Sequence, residues 1–423
     1  MVHIIAQLRD LHNLFRHPLY LNSFYILLTY LSSAFFGFIF WIAAAKMYTP
    51  QEVGIATALI SSMSLIVLLA KVGLDFSIIR YFPARDKSVV YSTSIVITTL
   101  FSLIFGLIFI LGADLFSPEL KDIYTLESAG LLFIFIIANA TANLAGIAFV
   151  ALRRSEYYLL QNLLAGSKIL FLFPLAYLGA FGIFGSVGIS FILTAVFSSL
   201  LIAKSGIKHS FRVDREFIAG SFHFSLGNYL VGLFQTAPNL VLPIMVLNIL
   251  GADAAAYYYI AFSVAFILFI VPNAISTSLF VEGSNGESLR QSTIRSSIAI
   301  YALLIPAVVI LYFSGDIILG LIGKEYAANG FELFRVMIFT SLVLPVTYIY
   351  SAVKRVQNGV RDLVLLNGVV FASLILLAQT CTTAYGIVGI GYAWVISYAV
   401  GVLLIGLGTL WERIATAGTG SHV

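Results

Sequence analysis

Residues 71–84 read KVGLDFSIIRYFPA, and they close the first pair of long apolar segments in a chain that repeats itself once. The repeat is visible by eye. FFGFIFWIAAAKMYTPQEVGIATALISSM (35–63) has the shape of NLVLPIMVLNILGADAAAYYYIAFSVA (239–265): an apolar run, a short turn, then a helix of small residues. Ala151-Leu152-Arg153-Arg154 is echoed by Ala352-Val353-Lys354-Arg355, an offset of 201. Ala113-Asp114-Leu115-Phe116 is echoed by Gly315-Asp316-Ile317-Ile318, an offset of 202. Ala180-Phe181-Gly182-Ile183-Phe184-Gly185 is echoed by Ala384-Tyr385-Gly386-Ile387-Val388-Gly389, an offset of 204.

Composition names the solvent. The chain is 60% hydrophobic and 10% charged, with a mean hydropathy of +1.02. A soluble domain carries about 25% charged residues. The excess of apolar surface demands lipid, and a helix needs about 20 apolar residues to cross a bilayer. Twelve such spans are expected near 22–45, 52–74, 89–112, 129–151, 157–178, 183–203, 223–250, 254–280, 297–313, 331–351, 363–383 and 386–410. The fold class is therefore all-α integral membrane, about 12 transmembrane helices in two six-helix bundles related by an internal repeat. An even number of spans per repeat gives both halves one orientation, an arrangement found in secondary transporters. The expected division is a cytoplasmic amphipathic lead-in (1–19), a first bundle (20–203), a cytoplasmic linker (204–221), a second bundle (222–411) and a tail (412–423). The longest outer loops are expected at 113–128 and 314–330.

Charge sets the topology. With the N-terminus on the cytoplasmic side, eighteen of the 23 basic residues fall in inner loops, four in outer loops, and Lys168 inside a span. That asymmetry follows the positive-inside rule, with both termini cytoplasmic. It accounts for the net charge of +4 without nucleic acid. Enzyme chemistry finds no support. There is no GxxxxGK[ST] loop and no HExxH motif. The six histidines (His3, His12, His17, His209, His223, His422) lie at the termini or around the linker, and Cys381 stands alone in an apolar run. No cofactor or metal is expected.

The chain resembles the polysaccharide-transporter branch of the multidrug/oligosaccharidyl-lipid/polysaccharide exporter superfamily, the branch that includes the O-antigen-type flippases. The resemblance covers about residues 20–410. Its most specific part is Pro50-Gln51-Glu52-Val53-Gly54 after the first apolar helix, followed by Val72-Gly73-Leu74-Asp75-Phe76-Ser77-Ile78-Ile79-Arg80-Tyr81. Lys71 stands where the family often has an acidic residue. The aromatic-Gly-Ile-x-Gly opening of spans six and twelve also fits. The resemblance implies two bundles around a central cavity in the cell membrane. It implies alternating-access movement of a polyprenyl-phosphate- or pyrophosphate-linked oligosaccharide for surface polysaccharide biosynthesis. Membrane lipids, and the glycosyltransferases and polymerase of such an assembly pathway, are the implied partners. The alternative within the superfamily is a cation-coupled multidrug or metabolite exporter. Against it, all 19 acidic residues fall in loops or at span ends by the expected boundaries, and ion-coupled exporters need an intramembrane carboxylate.

Within that frame, Lys168 is expected to meet the carrier phosphate, with Gln161 on its helical face. Asn228, Gln235 and Asn239 recur at intervals of seven and four along span seven, facing sugar hydroxyls. Arg80 and Arg153 are expected to meet the headgroup at the inner face. Lys71 and Asp75 form a candidate inner gate, and Pro238 and Pro272-Asn273 are candidate hinges.

Overall fold

The computed structural model describes residues 18–123, 125–208, 210, 213–284 and 288–419. Most of the expected lead-in (1–17) and the last residues of the tail (420–423) lie outside the described residues. So do 209, 211 and 212 of the linker.

Among the described residues, fifteen α-helices follow one another: α1 Pro18–Met47, α2 Pro50–Ala70, α3 Leu74–Tyr81, α4 Lys87–Leu111, α5 Ala113–Phe116, α6 Leu126–Ala151, α7 Ser155–Ala165, α8 Lys168–Leu172, α9 Ala180–Lys204, α10 Arg215–Leu250, α11 Ala252–Ser284, α12 Leu289–Ile322, α13 Lys324–Val356, α14 Val360–Tyr385 and α15 Val388–Thr419. Short 3-10 turns occupy Pro118–Ile123 and Ala176–Leu178. Eleven helices among the described residues are long and apolar enough to cross a membrane, by length and composition. The chain is a multi-pass membrane protein.

Two expectations are corrected. Span five (157–178) is not one helix but α7, α8 and a 3-10 turn, interrupted at Gly166-Ser167 and again before Pro174. Proline has no N–H to donate, so no helical bond can reach the carbonyl of Leu170. The outer segment 314–330 is also not a loop. α12 runs on to Ile322 and α13 starts at Lys324, so Gly323 alone connects them. The apolar run IILGLI continues the helical pattern past the expected boundary.

The start of α2 shows why TPQEVG opens a helix. The Thr49 N–H donates to Glu52 Oε2 at 2.8 Å, and the Glu52 N–H donates to Thr49 Oγ1 at 3.3 Å. This is a reciprocal capping box with proline at the first helical position. Gly54 then lets backbone meet backbone, because a Cβ there would lie 1.8 Å from the Ala252 carbonyl oxygen at the start of α11.

The backbone repeats with a drift that the sequence echoes miss. Arg153 and Asn358, 205 residues apart, both adopt φ 58° in matching turns. Gly179 and Gly386 share φ 57° and 61°, 207 apart. Three residues after each comes a glycine pressed on a carbonyl. A Cβ on Gly182 would sit 2.1 Å from Leu175 O, and one on Gly389 would sit 2.0 Å from Cys381 O. Arg153 therefore corresponds to Asn358 rather than Val353 or Lys354, and Gly182 to Gly389 rather than Gly386. The offset grows because a 3-10 turn rises about 2.0 Å per residue against about 1.5 Å in an α-helix, so fewer residues cross span five.

Two compact units result. The first gathers the residues up to Tyr48 together with Ser62–Tyr229; the second gathers Thr49–Ser61 with the residues from Leu230 onward. The division runs through α2 and α10. In the first unit, Ile78, Phe82, Val90, Tyr91, Leu144 and Phe149 form a buried core with Ile202, Ile207 and Phe217. The connection after α9 is tied to α4 within this unit. Its Lys208 N–H donates to Ser88 Oγ at 3.0 Å, Ser210 N–H to Ser92 Oγ at 3.0 Å and Asp214 N–H to Thr93 Oγ1 at 3.1 Å.

Candidate functional site

The break in span five carries Lys168, the first residue of α8. Upstream, α7 ends with the Ala165 carbonyl taken by Ser190 Oγ at 2.8 Å. Downstream, the Leu172 carbonyl is taken by the Tyr48 hydroxyl at 2.8 Å. Between them, Ile169 and Leu170 bond to carbonyls three residues back, Gly166 and Ser167, the tighter 3-10 spacing. Two of the carbonyls beside the break, those of Ala165 and Leu172, thus find side-chain partners inside the first unit, as lipid favours. Ser167 Oγ is buried with no hydrogen-bond partner.

Lys168 is half-buried. Its Nζ lies 5.1 Å from the centre of the Phe40 ring, and Phe40 is buried against Trp41. No carboxylate among the described residues forms an ion pair with it. A cation–π contact contributes about 0.5–2 kcal/mol or more when desolvated, and full burial of an ion costs several kcal/mol, so for the half-buried ammonium the Phe40 ring offsets part of the cost of leaving water. An anion brought to it would complete the site.

Gln161 stands elsewhere. It is buried on α7, and its Nε2 donates to Ala142 O at 2.6 Å, which ties α7 to α6. The interruption after Ala165 means that Gln161 and Lys168 are not one continuous helical face. Beside it, Asn143 Nδ2 donates to Asn139 Oδ1 at 2.8 Å.

The opening stretch 71–84 has a clear structural task. Gly73 sits at φ 83° and caps α3, and a Cβ there would meet Ser225 at 2.8 Å. Lys71 Nζ pairs with Asp75 Oδ2 at 3.1 Å, both largely buried. Ser77 and Ser225 share a buried hydroxyl–hydroxyl bond of 2.6 Å. The Tyr81 hydroxyl donates to Gly220 O at 2.9 Å, and its ring packs edge-on against Phe217. The Tyr229 hydroxyl donates to Leu69 O at 3.0 Å. All these bonds lie within the first unit. They hold the beginning of α10, the first helix of the second repeat, to the end of α2 and to α3. Arg80 and Arg85 both place their guanidinium groups beside the Tyr81 ring, at 5.8 and 5.7 Å. Arg80 and Arg153 are exposed at helix ends.

The polar stripe of α10 is divided. Asn228 belongs to the first unit, Gln235 and Asn239 to the second. Gln235 Nε2 donates to Asn367 Oδ1 at 3.2 Å, and Asn367 Nδ2 donates to Leu363 O at 2.7 Å. Asn239 Oδ1 is buried without a hydrogen-bond partner. Pro238 and Pro243 are accommodated within an unbroken α10, and buried Pro272 within an unbroken α11. Asn273 is exposed, and its carbonyl accepts from Thr277 Oγ1 at 2.8 Å.

Sequence reasoning missed Asn367 and its counterpart. In the first unit, Ser32 Oγ lies 3.4 Å from Asn162 Oδ1. Ser32 and Gln235 are 203 residues apart, and Asn162 and Asn367 are 205 apart, so one polar pair recurs in both units. The repeat offset, applied to polar residues within spans, is the signal that finds it.

No protein-family model matches the chain. In sequence it is similar to a putative O-antigen transporter of Shigella flexneri, 23% identical over 231 residues, or 50% of this chain and 55% of that one. The match thus spans about half the length of that relative. In structure it is similar to a multidrug resistance MATE family transporter of the MOP superfamily in an inward-facing conformation. The TM-score is 0.71 at 14% identity, over 92% of this chain and 96% of that one. It is also similar to the lipid II flippase MurJ in an inward closed conformation. There the TM-score is 0.69 at 16% identity, over 92% and 87% of the two chains. These relatives are transporters and a flippase by name. The chain shares the fold of these two solved proteins, and the O-antigen transporter match is in line with the resemblance of its sequence to the polysaccharide-transporter branch.

Proposed function

We propose that the protein is a flippase for a polyprenyl-phosphate- or pyrophosphate-linked oligosaccharide in the cell membrane, working by alternating access. The observation that carries this reading is Lys168: a half-buried cation at a helix break, with an aromatic face beside it and no carboxylate among the described residues paired to it. Phosphate supplies the missing negative charge. The carboxamides of α10 offer hydrogen bonds of the kind that saccharide hydroxyls satisfy. Exposed Arg80 and Arg153 are placed to meet an anionic headgroup with forked hydrogen bonds, on the cytoplasmic side if the positive-inside rule holds. Glycosyltransferases and a polymerase would supply and consume such a cargo. No nucleic acid enters this reading.

The ion-coupled exporter of the same superfamily is the competing reading. Lys168 favours the flippase, because a half-buried ammonium beside an aromatic ring attracts an anion and repels a coupling cation. The deciding experiment uses purified protein in liposomes with two cargoes. One is a fluorescent polyprenyl-pyrophosphate oligosaccharide, read by an impermeant quencher. The other is ethidium, read under imposed proton or sodium gradients. Protein-dependent arrival of the lipid-linked sugar without gradient-driven ethidium efflux supports the flippase. Efflux without lipid translocation would replace it with the exporter.

A further inference from the structure

The half of α13 away from Lys354-Arg355 carries a charged pair that the flippase reading does not use. Arg335 Nη1 donates to Glu332 Oε1 at 3.2 Å, one turn back along the helix. Its Cζ lies 4.2 Å from the centre of the Phe331 ring and 4.9 Å from that of Tyr312 on α12. All four residues belong to the second unit. Nε of the guanidinium is buried without a hydrogen-bond partner. The side chain as a whole keeps 33% of its surface exposed, and that of Glu332 keeps 69%. Arginine has five N–H donors, and among the described residues Glu332 is the one hydrogen-bond acceptor that Arg335 meets.

Helix length places the pair at a membrane surface. Nineteen residues separate Arg335 from Lys354, about 28 Å of helix, and the hydrocarbon layer is about 30 Å thick. With Lys354 and Arg355 at one interface, Arg335 stands at the level of the headgroups at the other. Phe313, Ile317 and Phe339 are exposed around it and offer acyl chains an apolar face. The frame of the bundle does not require the pair. At the offset of 202 that relates Asp114 to Asp316, Glu332 and Arg335 fall on Gly130 and Phe133. The converse holds for Lys168. At the offset of 205 that relates Asn162 to Asn367 it falls on Ser373, whose hydroxyl donates to Val370 O at 3.0 Å. Each copy thus carries a cation that the other lacks.

Three phospholipid headgroups can be compared on charge and hydrogen bonding. An anionic headgroup is drawn to Arg335 and repelled by the exposed carboxylate beside it. A choline headgroup has no N–H to give Glu332, and the two rings that a quaternary ammonium would seek are already taken by the guanidinium. An ethanolamine headgroup satisfies both charges. Its phosphate accepts from arginine, and its ammonium donates to a carboxylate, which accepts at two oxygens. Helical residues three apart hold their Cβ atoms about 5–6 Å apart, a spacing that a phosphate and an ammonium joined by two carbons can bridge. We infer that Glu332 and Arg335 form a binding site for a phospholipid with a zwitterionic, primary-amine headgroup, phosphate on Arg335 and ammonium on Glu332. The site is independent of what the protein carries.

Native mass spectrometry tests it on the full-length protein, released from micelles that contain equal amounts of dioleoyl phosphatidylethanolamine, phosphatidylcholine and phosphatidylglycerol. The expected result is that wild type retains phosphatidylethanolamine about five-fold over each of the others. Arg335→Met should abolish that preference. Glu332→Gln removes the repelling charge and should make phosphatidylglycerol the preferred lipid. Arg361→Ala, an exposed basic residue at the Lys354 end, should leave the preference unchanged. Equal retention of the three lipids, a wild-type preference for phosphatidylglycerol, or a preference for phosphatidylethanolamine that survives either Arg335→Met or Glu332→Gln would each overturn the site. Size-exclusion profiles identify any variant that does not fold. Glu332→Gln keeps the size of the side chain, so its change of selectivity decides the matter where Arg335→Met does not fold.

Discussion

Spans five and eleven begin and end alike and differ in the middle. Each follows a turn with a residue at φ 58°, and each leads to a glycine pair in which the second glycine lies on a carbonyl. Between these marks α14 is one helix of 26 residues, whereas the first repeat has two short helices and a 3-10 turn. The interrupted copy holds a lysine, and the continuous copy holds only neutral side chains at the corresponding positions. A second contrast runs the same way. α2 stops at Ala70 and restarts as α3 after Val72 and Gly73 at φ 45° and 83°, while α11 runs unbroken from Ala252 to Ser284 through Pro272. Duplication kept the bundle frame. Both of these backbone breaks lie in the first copy, whereas charged side chains occur within helices of both copies, as in the Glu332–Arg335 pair of α13 at 3.2 Å.

The comparison can be broken most forcefully at its shared points. Gly182→Ala and Gly389→Ala each place a Cβ about 2 Å from a carbonyl oxygen. Each should cost roughly 3 kcal/mol, read as a matched loss of thermal stability in detergent. A tolerated Gly389→Ala beside a crippling Gly182→Ala would mean that the two glycines do not play the same part. Next comes the break itself. Pro174→Ala restores an N–H for the Leu170 carbonyl, so span five should regularise. Transport should fall about ten-fold while stability shifts by less than about 1 kcal/mol. Normal transport would show that the interruption is incidental. Smaller effects belong to the inner end. Ser77→Ala leaves a buried Ser225 hydroxyl unpaired and should cost about 1–2 kcal/mol. Adding Ser225→Ala should cost less than the sum of the two single changes in a double-mutant cycle. The smallest expected effect is a gain: Val72→Gly removes a β-branched side chain from left-handed backbone, worth up to about 1 kcal/mol in a denaturation midpoint.

Much of the frame was legible in the sequence because lipid imposes length and apolarity on every span. That Lys168 stands inside an apolar segment was legible for the same reason. Its helix break was not, because hydropathy averages over Gly166 and Pro174 and carries no record of which carbonyls lose their partners. The helical extension through 314–322 was hidden because an outer loop and an overlong helix can share one composition. Asn367 escaped notice because the offset between copies drifts from 202 at Ala113 and Gly315 to 207 at Gly179 and Gly386. Matching by eye at 201–204 therefore pairs Arg154 with Arg355 and leaves Asn162 and Asn367 unaligned. The opening KVGLDFSIIRY was correctly singled out, but its residues chiefly dock α10: Ser77, Tyr81 and Gly73 all meet residues 217–225.

The central claim is that Lys168 in the first unit holds the carrier phosphate. The most direct measurement is the rate at which a fluorescent polyprenyl-pyrophosphate oligosaccharide reaches the far leaflet of proteoliposomes containing wild-type, Lys168→Arg, Lys168→Met or Ser373→Ala protein at equal density. The account predicts near-complete loss with methionine, partial recovery with arginine, and a rate within two-fold of wild type for Ser373→Ala. Wild-type flipping by Lys168→Met protein would contradict it.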